Sequence, residues 1–211
     1  MTPRKSTILS RAAGALLIGV TLATATGAWA ADVGKLAEGC ANCHGKDGVS
    51  TESDVPTIAG FSAPYLDESL GRYKNKERHC PETKYHSGDK KGQKTDMCNI
   101  AKELSAADIK QLSQHYAGKK FVRAKQKFDP ALAKKGEKLH ERSCEKCHAD
   151  NGSSPKDDSG ILAGQWMPYL QEALADFKNG KRPIDKKMKP KIEKLDKADF
   201  DALVHYYGSL Q

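Results

Sequence analysis

Two pentapeptides in this chain have the residue types and spacing to hold a prosthetic group. They are Cys40-Ala41-Asn42-Cys43-His44 and Cys144-Glu145-Lys146-Cys147-His148, 104 residues apart. Cys-x-x-Cys-His is the attachment pattern of a c-type haem. On a helix the two cysteines lie one turn apart and present both sulfurs to the vinyl groups on one porphyrin edge. The adjacent histidine supplies an imidazole nitrogen to the iron. A redox dithiol or half a zinc site shares the cysteine spacing, but two copies, each ending in histidine, favour haem. The reading is a dihaem chain.

An iron that only passes electrons needs its sixth position closed, and a thioether does this while raising the potential. Three methionines remain beyond the leader described below: Met97, Met167 and Met188. Met97 and Met188 occupy equivalent positions in a repeat and are the expected ligands. Met167 aligns with Ala63 and reads as packing. His79, His86, His115, His140 and His205 have no repeat equivalents and read as surface or structural groups. The other ring nitrogen of a ligating histidine normally donates to a carbonyl. For His44 the expected acceptor is Pro56; its counterpart Gly160 keeps the carbonyl but loses the rigidity.

The repeat extends far beyond the haem motifs. Ala59-Gly60, Pro64-Tyr65-Leu66, Glu68 and Leu70 match Ala163-Gly164, Pro168-Tyr169-Leu170, Glu172 and Leu174 at the same offset of 104. From Met97 the offset is 91, pairing Leu104, Asp108, Leu112 and Tyr116 with Leu195, Asp199, Leu203 and Tyr207. The first copy therefore carries 13 extra residues between Arg78 and Met97. Each copy reads as three helical pieces, with Pro64 and Pro168 suited to a first helical turn. Ser105 and Asp108 resemble a capping pair ahead of an apolar face of Ile109, Leu112 and Tyr116. No strand pattern competes. The expected fold is all-α, two tandem duplicated domains: 31–120 with an insertion at 79–96, a linker at 121–130, and 131–211.

Residues 1–30 read as a cleaved secretory signal, with basic Arg4, Lys5 and Arg11, an apolar run from Ala12 to Thr26, and Ala28-Trp29-Ala30 for cleavage. Nothing later approaches a membrane span, and the expected location is the bacterial periplasm. Of 35 basic residues three lie in the leader, which against 27 acidic ones leaves a mature net charge of +5. Four haem propionates would lower this to about +1, so the high pI does not argue for nucleic acid.

The two-domain arrangement resembles the cytochrome c4-type dihaem proteins, built from class I cytochrome c domains. The second half is similar to the dihaem cytochrome subunit of flavocytochrome c sulfide dehydrogenase. That resemblance is carried by Gly136 to His148, by Ile161-Leu-Ala-Gly-Gln165-Trp166-x-Pro168-Tyr169-Leu170, and by Lys186-Lys187-Met188. It implies an FAD-containing partner that oxidises sulfide, two haems that drain its flavin one electron each, and an external redox acceptor. The ligand pairs would be His44 with Met97 and His148 with Met188, the domain-one haem facing the flavin. The chain itself carries no dinucleotide fingerprint. A free-standing dihaem shuttle feeding a terminal oxidase is the alternative. A haem peroxidase needs an open sixth position, which the paired methionines disfavour.

The insertion departs from the family pattern. Cys80 and Cys98 sit at its ends and could form a disulfide, as export permits. With His79, His86 and Met97 they also make a soft sulfur and imidazole set suited to copper; unpaired thiols are the third possibility. Lysines run through Lys84 to Lys94 and through the linker (Lys119, Lys120, Arg123, Lys125, Lys127). A further cluster, Lys181, Arg182, Lys186, Lys187, Lys189 and Lys191, surrounds Met188 and would attract an acidic redox partner.

Overall fold

A computed structural model describes Met1, residues 32–156 and residues 158–211; the expected secretory signal, Met1 apart, lies outside the described residues. Domain one is built from α1 (Val33–His44), α2 (Ala63–Lys74), α3 (Met97–Lys102) and α4 (Ala106–Ala117). Domain two repeats the plan with α5 (Pro130–Ser143), a single turn α6 (Ala149–Gly152), α7 (Met167–Lys178), α8 (Lys189–Glu193) and α9 (Lys197–Ser209). Among the described residues no helix is long and apolar enough to cross a membrane.

Helix starts follow the expected local chemistry. Pro64 and Pro168 occupy the first turns of α2 and α7, where a missing N–H costs nothing. Ser105 and Asp108 close a reciprocal capping box at α4, and Asp196 with Asp199 does the same at α9. Burial of Ile109, Leu112 and Tyr116 confirms the inward face of α4.

The first and last helices of each copy pack against one another. In domain two, Gly136 of α5 meets the backbone of α9, and a Cβ there would sit 2.7 Å from Tyr206 Cβ. The core behind that crossing joins Leu139, Leu170, Ile192, Ala202, Leu203 and Tyr207. The domain-one core of Phe61, Leu66, Leu112 and Tyr116 also takes in Ile161 from the second copy. Each copy folds its post-haem loop in the same way. The Gly48 carbonyl accepts from Ile58 and Ala59 N–H, and the Gly152 carbonyl from Leu162 and Ala163. Gly60 and Gly164 N–H donate to the Tyr116 and Tyr207 carbonyls, both at 2.8 Å.

Two expectations are corrected. Each copy has a further short helix, α3 or α8, beginning at or just after the candidate methionine, and domain two adds the single turn α6. The insertion also forms a two-stranded antiparallel hairpin, β1 (Thr83–Lys84) against β2 (Lys94–Thr95), pairing Thr83 with Thr95. Strands of two residues leave no alternating pattern to read, and the disulfide brings their ends together.

Candidate haem centres and the surface between the domains

The first Cys-x-x-Cys-His motif forms the last turn of α1. The second lies just beyond α5, in a turn held by Cys144 N–H to the His140 carbonyl (2.7 Å) and His148 N–H to the Cys144 carbonyl (2.9 Å). The helical setting expected for both motifs thus holds for the first, while the second is a turn continuing from a helix end. All four motif cysteines are unpaired, whereas Cys80 and Cys98 are joined. Burial pushes the Cys40 and Cys144 thiols up.

His44 is buried, with Nδ1 2.9 Å from the Pro56 carbonyl oxygen. That hydrogen bond puts the proton on Nδ1 and leaves Nε2 for a metal. Burial lowers the imidazole pKa, outweighing the Pro56 bond that raises it. The ring is therefore held in the neutral form that ligates iron. Free thiols beside a neutral imidazole with its tautomer fixed fit a covalently attached haem.

Met97 opens α3 immediately before Cys98, and Met188 is the N-cap of α8 and packs on the domain-two core. Met167 is committed elsewhere: a Cβ on Gly208 would lie 2.5 Å from its sulfur, so the thioether rests against α9. The remaining histidines have structural roles. His140 is fully buried and bonds Tyr207 Oη at 2.9 Å and the Glu145 carboxylate. His205 Nδ1 accepts from Asp129 N–H, and the His115 ring sits edge-on to Tyr116.

Cys80 and Cys98 form a disulfide with Cα atoms 5.8 Å apart. In this state neither sulfur is a thiolate ligand. His79 Nδ1 instead lies 3.2 Å from Asp176, and His86 Nδ1 lies 3.2 Å from Glu52. The hairpin above the disulfide packs on the haem motif itself. His86 and Ser87 N–H both donate to the Asn42 carbonyl, and Cys43 Sγ lies 3.8 Å from the Lys84 carbonyl.

The domains meet through a near-symmetric polar surface that sequence reasoning missed. Arg182 Nη2 donates to Tyr65 Oη at 2.8 Å, and Arg78 to Tyr169 at 3.4 Å, crossing from each copy to the other. Each guanidinium also covers a ring of its own domain, Tyr73 at 4.5 Å or Phe177 at 4.3 Å. Arg182 is only 8% exposed, so it does not belong to the basic rim expected around Met188. Lys181, Lys186, Lys187, Lys189 and Lys191 remain exposed. Beside the arginines, Gln165 is fully buried and pairs with both backbone groups of Thr57 across the boundary. Trp166 Nε1 donates to the Ser50 carbonyl at 3.1 Å. The signal for this surface was present: Arg78 and Arg182, like Tyr65 and Tyr169, are themselves repeat-matched.

Residues 30–115 match the family described as cytochrome c, and residues 131–206 match "Cytochrome C oxidase, cbb3-type, subunit III". The chain is 33% identical to cytochrome c4 of Stutzerimonas stutzeri, covering 92% of this chain and 95% of that one. It is 26% identical to the thiosulfate dehydrogenase electron acceptor of Thiomonas intermedia (strain K12), covering 80% of this chain and 75% of the other. Among solved structures it resembles reduced recombinant cytochrome c4 from Pseudomonas stutzeri. There the TM-score is 0.67 at 30% identity, covering 85% of this chain and 96% of that one.

Proposed function

Because this chain belongs to the cytochrome c4 family of dihaem electron-transfer proteins, with haem c held covalently in each of two helical domains, we propose that it is a periplasmic carrier. It takes electrons from a sulfur-compound dehydrogenase and passes them to an external redox acceptor. Cys40, Cys43 and Cys144, Cys147 would carry the thioether bonds. His44 with Met97 and His148 with Met188 would bind the two irons. A haem iron held there would supply one-electron storage. The protein's part is to fix the ligands and exclude water from them. The observation that carries this reading is the buried His44 imidazole, its Nδ1 bonded to Pro56.

For the donor, the supporting observations are the sequence resemblance to a flavocytochrome c subunit and the likeness to a relative named as a thiosulfate dehydrogenase electron acceptor. In the finer reading the donor is an FAD-containing sulfide dehydrogenase. The full-length likeness to cytochrome c4 favours a second reading, a free-standing shuttle to a terminal oxidase.

The test is isolation from the native host. Two haem masses on the secreted chain and a methionine–iron charge-transfer band for each haem are expected. Reduction by sulfide only in the presence of a co-purifying flavoprotein supports the first reading. Purification alone, with reduction by a respiratory donor and oxidation by a terminal oxidase, supports the second.

A further inference from the structure

The peptide group between Pro56 and Thr57 has hydrogen bonds at both ends. Its carbonyl oxygen lies 2.9 Å from His44 Nδ1, and its N–H donates to Gln165 Oε1 at 3.0 Å. A trans peptide points its C=O and N–H in opposite directions. The result is a linear relay: imidazole N–H, peptide, and the side-chain amide of the other domain. Gln165 Nε2 closes the pair by donating to the Thr57 carbonyl at 2.9 Å. Thr57 and Gln165 are 1% and 0% exposed, so water does not compete. Gln165 is in turn held from behind. Its own carbonyl accepts from Gln126 Nε2 at 2.8 Å, and Gln126 Oε1 accepts from Met167 N–H at 2.9 Å.

We propose that Gln165 is a positioning residue for the domain-one iron: it orients and polarises the Pro56 carbonyl that in turn tunes the His44 imidazole. Hydrogen bonds in series strengthen one another. An acceptor on the Thr57 N–H makes the Pro56 oxygen a better acceptor and gives the imidazole more anionic character. A more basic axial ligand favours ferric iron and lowers the potential. The glutamine is not repeated. The residue equivalent to Gln165 in the first copy is Phe61, which has no acceptor and stacks on Tyr65 instead. This glutamine relay therefore runs from domain two to the domain-one ligand and has no glutamine counterpart in the first copy.

This inference rests on His44 being an axial ligand. The experiment uses the mature dihaem protein with Gln165→Met, which preserves volume, and Gln165→Ala. Each haem's midpoint potential is followed by the NMR signals of its own axial ligands. The domain-one midpoint should rise and the domain-two midpoint should stay. The His44 Nδ1 proton of the reduced protein should move upfield. Arg72→Gln removes another cross-domain bond, Arg72 Nη1 to the Pro183 carbonyl, and should leave both midpoints in place. An unmoved domain-one midpoint in a folded Gln165 variant, or the same rise in Arg72→Gln, overturns the proposal. Should neither Gln165 variant fold, hydrogen exchange on the native protein decides. Slow exchange of the Thr57 amide, matching the core helices, supports the relay, and exchange at loop rates overturns it. Failure of the ligand reading looks different: replacement of His44 would leave both haem spectra unchanged.

Discussion

Arg182 of the second domain donates to the Tyr65 hydroxyl of the first at 2.8 Å, while its guanidinium lies 4.3 Å from the Phe177 ring centroid. Arg78 and Tyr169 make the mirror contact at 3.4 Å. A guanidinium only 8% exposed that loses this oxygen has little water to replace it. Tyr65→Phe should therefore cost about 1.5–3 kcal/mol in chemical denaturation. Arg182→Lys should not rescue, because an ammonium cannot both cover the ring and reach the hydroxyl. A double-mutant cycle in which the two losses simply add would remove the contact from the account.

Gly136→Ala sets two effects against each other. Alanine favours a helix interior by about 1 kcal/mol over glycine. Here, however, the new Cβ would meet the Ala202 backbone and lie 2.7 Å from Tyr206 Cβ. Overpacking of this kind costs about 1–3 kcal/mol, and rigid backbone cannot step aside. The variant should unfold at lower denaturant than the native protein, with domain two losing its haem signals first.

The disulfide joins the end of the hairpin to the residue after Met97. A sequence separation of 18 corresponds to about 3 kcal/mol in the chain-entropy model. Replacing Cys80 and Cys98 by serine should weaken the methionine–iron band of domain one at denaturant concentrations that leave domain two intact. Metal analysis of the reduced native protein, with copper offered, examines the alternative role of the same two sulfurs. Stoichiometric uptake that returns the band would point to the copper reading.

Acid should destabilise the fold in a defined window. The Asp47 carboxyl is held low by Lys119, Asp108 by the hydroxyl and N–H of Ser105, and Asp129 by the N–H groups of Leu132 and Ala131. A folded pKa below the unfolded value means the contribution is fully present above about pH 3.9 and lost as pH falls through the lower, folded values. Denaturation midpoints should decline gently below about pH 6.5, where unfolded His44 takes up a proton that its buried form resists, and fall further below pH 4 through these carboxylates. Asp108→Asn should make that fall shallower; an unchanged slope would refute its part.

Electron transfer to an acidic acceptor should depend on Lys186, Lys187, Lys189 and Lys191, all exposed near Met188. Reversing two of these charges should slow the second-order rate roughly 10-fold at low ionic strength. The difference should vanish in high salt as the Debye length shrinks. Equal rates for variant and native protein at low salt would rule out this face as the docking surface.

Much of the architecture is readable from residue types alone. The duplicated haem motifs, the prolines opening α2 and α7, the Ser105–Asp108 cap and the Pro56 carbonyl under His44 all follow from local chemistry, the last across 12 residues. What escapes is non-local. Arg182 looks like one more cation in a basic run, and only its approach to Tyr65 117 residues away makes it a buried contact. Gln165 sits in a stretch that reads as a family signature, so its side chain has no visible task until Thr57 is placed against it. The break in the repeat, glutamine facing phenylalanine at position 61, was the available hint. The hairpin hid because two-residue strands rich in lysine carry no periodicity.

The connection between the halves is laid along them. Phe121 packs against the first core, Ala124 N–H reaches the Gly164 carbonyl at 2.7 Å, and Asp129 N–H reaches His205 at 2.9 Å. A strap fastened at three points has no slack. The pair of redox centres would therefore travel as one body with a constant separation, so electron hopping between them would be paced by chemistry at the irons rather than by a swinging arm.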